Sequence, residues 1–150
     1  MHRRIFLYII VLGSLTYGVL AVGSAIRTWR VLPQVVRALN AQTTPMAQNQ
    51  ARYLRSPWYQ GQLVLTWVSG MLFLVGALGA AARQTWSRLT LYGAAWIALV
   101  HMAWTLISSL EWFHATGAGM LYQINLLNVC WVLLMLAVMP TEKMVRAWER

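Results

Sequence analysis

Four side chains in the stretch HMAWTLISSLEWFH could act together: His101, Thr105, Ser108 and Glu111. They recur at steps of three and four residues, so a helix would carry them, with Trp104, along one stripe. A histidine exchanges protons near neutrality, hydroxyls can relay them, and a carboxylate can end the path. A second set, Tyr122, Asn125 and Asn128, recurs at steps of three. Folding the chain back about the intervening ATGAG puts Glu111 near Gly119, Ser108 near Tyr122, Thr105 near Asn125 and His101 near Asn128. These residues form a candidate polar seam.

Two readings of the seam are open. In one, neutral His101 and the two asparagines satisfy each other as a hydrogen-bonded spine, each bond contributing about 1 kcal/mol. In the other, the seam is a polar cavity for a small ligand, a proton path or a quinone-type headgroup. Strongly polar groups at membrane depth face either the protein interior or water. The spine is the reading taken, with the cavity as alternative. Glu111 and His114 are read as interfacial groups where the helix leaves lipid.

Other chemistries find little to build on. Glu111 and His114 are an i,i+3 pair without a third metal ligand. An intrachain haem needs two placed axial ligands, and only His101 is at membrane depth. There is no phosphate loop, no HExxH and no Ser–His–acid arrangement. No catalytic residue, metal site or cofactor is therefore expected. Cys130 is a lone cysteine and reads as a packing residue.

The elements that carry the seam follow from composition. Of 150 residues, 59% are apolar and 10% charged, with Glu111, Glu142 and Glu149 the only acids. A soluble domain carries roughly a quarter charged residues, so lipid is the expected surroundings. Four stretches are long enough to cross a hydrocarbon core of about 30 Å, which takes about 20 helical residues: residues 5–26, 63–82, 89–110 and 120–139. Backbone groups in lipid must be paired within their own segment, so each span should be helical. The fold expected is an all-α integral membrane protein, a single domain built as a four-transmembrane-helix up-down bundle. MHRR before the first span resembles a secretory signal, but the run is longer than a usual signal core and is expected to be retained. Small residues (Gly13, Ser14, Gly18 and Ala21; Thr66, Gly70, Gly76, Gly79 and Ala80; Gly93, Ala94 and Ala95) mark the expected helix contacts.

The 27–61 loop has its own pattern. Arg27, Arg30, Gln34 and Arg37 share one helical face, and Trp29, Leu32, Val36 and Leu39 the other. This segment is expected to be a short amphipathic helix lying in the interface, with Pro33 separating it from the first span. A second short helix is expected after Pro45. Ser56–Pro57 should cap the helix of the second span. Trp29, Trp58 and Trp112 would anchor one interface and Trp86 and Trp148 the other.

Charge sets orientation and partners. Arg83 and Arg88 bracket the second turn, whereas the third has no basic residue, which favours both termini in the cytoplasm and a plasma or inner membrane. The basic residues flank apolar spans, which points away from nucleic acid. Arg27, Arg30, Arg37, Arg52 and Arg55 are expected to meet anionic lipid headgroups or acidic partners beside the membrane.

Length, four spans, a long basic loop and high pI are also the outline of the membrane-associated eicosanoid and glutathione metabolism proteins. Their Arg-x-x-x-Asn-x-x-Glu pattern is missing here: Arg52 and Arg55 are followed by SPWYQGQLVL, so no membership is inferred. Small multidrug transporters share the size but rely on a glutamate in the first span, where this chain has no acid. The function expected is a non-catalytic polytopic membrane subunit, accessory to a larger respiratory or other energy-transducing complex, with other membrane subunits or a homo-oligomer as partners. The alternative is a small transporter or ligand- or quinone-binding protein using the seam. A membrane enzyme ranks third.

Overall fold

In the computed structural model, the backbone is described for residues 2–116 and 126–141, and side chains for residues 5–108 and 128–141. Five helices carry the described chain: α1 (His2–Asn40), α2 (Pro45–Arg55), α3 (Pro57–Ala81), α4 (Trp86–Thr116) and α5 (Leu126–Val138). Three contain segments long and apolar enough to cross a membrane: Ile5–Asn40, Pro57–Ala81 and Trp86–Ser108. α5 is apolar but has 13 residues, about 20 Å. The start of the expected fourth span, residues 120–125, lies outside the described residues.

α1 corrects one expectation. It runs unbroken for 39 residues with Pro33 inside it, rather than ending at Pro33 and restarting in the interface. Proline removes one backbone donor, leaving the Trp29 carbonyl without its usual intrahelical partner. Packing on the far side of Pro33 offsets that loss. Val36 is buried in a cluster with Ala51, Leu54, Tyr59 and Leu63, flanked by Leu32 and Leu39. The expected apolar face is present, but α2 and the start of α3 cover most of it instead of acyl chains. Trp29 stays exposed.

The capping expectations match. Thr44 accepts from the Ala47 N–H ahead of Pro45, and Ser56 accepts from the Tyr59 N–H ahead of Pro57. These caps use residues whose oxygens suit a helix N-terminus, followed by a proline whose missing N–H is no loss there. α3 therefore starts at Pro57, as the Ser56–Pro57 pair predicts, ahead of the apolar stretch that begins at residue 63. At its other end, Arg83 N–H donates to the Ala80 carbonyl and Gln84 N–H to the Gly79 carbonyl. That is a Schellman closure, and its left-handed position, usually glycine, is held by Arg83 at φ 56°.

α1, α3, α4 and α5 share one core containing Ile10, Tyr17, Phe73, Leu91, Val132, Met135 and Met139. Tyr17 lies against Phe73 with ring centroids 4.6 Å apart. Glycines set the closest approaches. A Cβ on Gly18 would come within 2.8 Å of the Gly70 carbonyl oxygen, and one on Gly70 within 2.9 Å of the Ala21 Cβ. Gly76 and Gly79 let α4 approach through Leu91, Trp86 and Ser87, and Gly13 lies against the Trp131 ring of α5. Gly93, expected at a contact, faces open space.

Candidate functional site

The seam stripe of α4 lies against α3. Ser108, 4% exposed, is the acceptor for two donors from that helix: Trp58 Nε1–H at 2.9 Å and Gln62 Nε2–H at 3.0 Å. One turn or more deeper, His101 Nε2 lies 2.9 Å from Thr66 Oγ1 and 3.4 Å from Thr105 Oγ1. Trp58, Gln62 and Thr66 recur at four-residue steps, so they too form one helical stripe. Two antiparallel stripes thus meet along the α3–α4 contact.

The two hydroxyls that meet the imidazole also reach backbone carbonyls. Thr66 Oγ1 donates to the Gln62 carbonyl at 2.9 Å, and Thr105 Oγ1 donates to the His101 carbonyl at 2.9 Å. Each hydroxyl has one proton to give. With both committed to backbone carbonyls, the oxygens can only accept from His101. With the hydroxyl protons so placed, Nε2 is the donor to both oxygens. This assignment follows from the hydrogen-bond network, as tautomers must.

Aromatic groups close the end of the seam near Ser108. The Trp58 and Trp104 rings are tilted by 55° with centroids 4.4 Å apart. The space above Gly61 receives Trp104, whose ring would sit 3.7 Å from an added Cβ. Among the described residues, Trp104 Nε1 is buried without an acceptor, a costly state for an indole N–H.

The other candidate residues divide as follows. The Glu111 and His114 backbones continue α4, which runs beyond the expected end of the span to Thr116; their side chains lie outside the described residues, as do Tyr122 and Asn125. Asn128 is half-buried on α5. Pairing of the seam with Tyr122 and Asn125 therefore falls outside the description, and the described ring bonds of His101 go to Thr66 and Thr105. The sequence reading makes Thr66 a helix-contact residue and Trp58 an interfacial anchor. Trp58 does remain half exposed, at 49%, while its N–H belongs to the seam. The four-residue spacing of Trp58, Gln62 and Thr66 was the available signal.

Arg27, Arg30 and Arg37 on α1 and Arg52 and Arg55 on α2 are all exposed. None of the three carboxylates of the chain is among the described side chains. Among the described residues, no three His, Cys, Asp or Glu come together as a metal site. No family model, curated protein or solved structure matches this chain, so its own residues must carry the functional reading.

Proposed function

We propose that the chain is a non-catalytic membrane subunit, accessory to a larger energy-transducing complex such as a respiratory one. The carrying observation is that the polar stripe of α4 is bonded to α3: Ser108 takes two donors and His101 rests on two threonine oxygens. Polar groups spent this way hold helices together in lipid. In this reading residues 120–139 form a fourth span, both termini are cytoplasmic, and the protein resides in a plasma or inner membrane.

The test is native mass spectrometry of the full chain released from its own membranes, with an absorption spectrum of the same sample. A stoichiometric membrane partner is the expected result. A lone, colourless homo-oligomer would sink the proposal.

One observation favours a second reading, a small transporter or ligand-binding protein. The buried Trp104 N–H has no acceptor among the described residues, and a ligand oxygen entering beside Ser108 would supply one. Under that reading the isolated protein binds a quinone or similar headgroup, and Trp104→Phe weakens binding while leaving the fold intact.

A further inference from the structure

The helical hairpin formed by the end of α1 with α2 has a uniform charge. Residues 27–61 contain five arginines and no acid, and the first acid of the chain is Glu111. All five arginines are exposed. The opposite side of the hairpin is already used, because Val36, Ala51 and Leu54 are buried together. The face packed on α2 is covered, while Trp29, Val31, Val35 and Met46 remain exposed, so the level of the hairpin relative to lipid decides what its arginines meet.

Its height argues against an in-plane lipid anchor. The apolar run from Ile5 to Ile26 has 22 residues, about 33 Å, enough for a core of about 30 Å. Arg27 therefore stands at the boundary. α1 continues through Pro33 without a break, which lifts Arg37 about 15 Å further along the axis. The headgroup layer is about 5–8 Å deep on each side. α2 returns along α1 with Ala51 and Leu54 beside Val36, so Arg52 stands near the level of Arg37. Two guanidinium groups are thus held above the phosphates, and their planar forks suit carboxylates.

We propose that Arg37 and Arg52 on the α1–α2 hairpin dock the acidic face of a protein partner that stands off the membrane. The inference rests on the subunit reading and names where such a partner sits.

The full chain is reconstituted in phosphatidylcholine nanodiscs with an environment-sensitive fluorophore at Gln48→Cys in a Cys130→Ser background. The label then reports on the hairpin, away from basic residues at the other end of the bundle. The probe is poly-L-glutamate. The expected result is a salt-sensitive response that Arg37→Gln with Arg52→Gln weakens about tenfold, while Arg27→Gln with Arg30→Gln changes it by less than about threefold. All four sites are exposed, and circular dichroism checks that helix content is kept. The inference is overturned if the Arg27 and Arg30 pair governs the response, or if the probe gives none. It is also overturned if phosphatidylglycerol added to the nanodisc shifts the label without the probe and Arg37→Gln with Arg52→Gln removes that shift, which identifies a lipid surface. A lone species in native mass spectrometry removes the subunit reading and leaves the poly-glutamate result standing, so the two failures are distinguishable.

Discussion

At the scale of residues, Ser108 and His101 have different jobs. Ser108 is a shared acceptor, and Ser108→Ala strands two N–H donors at once. Gln62 is buried as well, so water cannot readily replace the lost partner. The expected loss is about 1–2 kcal/mol, measured as unfolding stability in detergent. Thr105→Val should stay below about 1 kcal/mol, because His101 keeps the shorter bond to Thr66. Equal losses would mean that the two hydroxyls are not distinct. His101 offers a direct spectroscopic check. Solid-state NMR of ring-labelled protein at neutral pH should find Nε2 protonated and Nδ1 bare. The opposite tautomer would mean that Thr66 and Thr105 give up their carbonyls and donate to the ring instead. The stripe itself was legible from spacing, since His101, Thr105 and Ser108 sit at four and three residues whichever helix they meet. Which helix they meet was not legible. Both neighbours of α4 offer polar residues at matching depths, and the difference lies in how the helices turn about their axes.

At the scale of elements, glycine marks contact only where a backbone actually arrives. Gly70→Ala should destabilise by about 1–3 kcal/mol, since its Cβ meets Ala21 and Val22 on a packed helix. Gly93→Ala should stabilise by about 0.5–1 kcal/mol, since open space surrounds it and helix interiors favour alanine. Thermal unfolding of the two variants side by side tests the α1–α3 crossing; the same sign for both would contradict it. Sequence alone treats these glycines alike. It was reliable where the rule is local, as at Ser56–Pro57, where a capping oxygen and a proline decide a helix start between themselves. It misjudged Pro33, where the local penalty is real but packing of Val36 against α2 outweighs it.

At the scale of the whole molecule, the open issue is how many times the chain crosses. Three segments have the length and apolar character to do so, and a fourth crossing through residues 120–139 would return the C-terminus to the side of the N-terminus. Reporter fusions test this: a fluorescent protein that folds only in the cytoplasm should light up at either end, and a periplasmic-type phosphatase should be silent at both. Opposite answers at the two termini would leave three crossings. The class of the molecule was plain from composition, because a chain with three acids and 59% apolar residues cannot clothe itself for water. The proposed partner surface was less plain. The arginines of the first loop could be counted, but their height above the membrane depends on α1 continuing past Pro33.

The tight link between α3 and α4 has a consequence for the seam at the far end of both helices. Gln84 and Arg83 tie the chain back onto α3 within the first few residues after it ends, so α4 starts at a fixed angular phase. Ser108 lies 22 residues beyond Trp86, the first residue of α4, about 33 Å along the axis. Alignment of the seam is thus decided on the opposite side of the membrane from Ser108. One residue inserted within α4 ahead of His101 would turn the helix beyond it by about 100° and carry His101 and Ser108 away from Thr66 and Gln62 together. The left-handed Arg83 acts as an index pin: a distant, three-residue stop that lets two polar stripes find each other tooth for tooth.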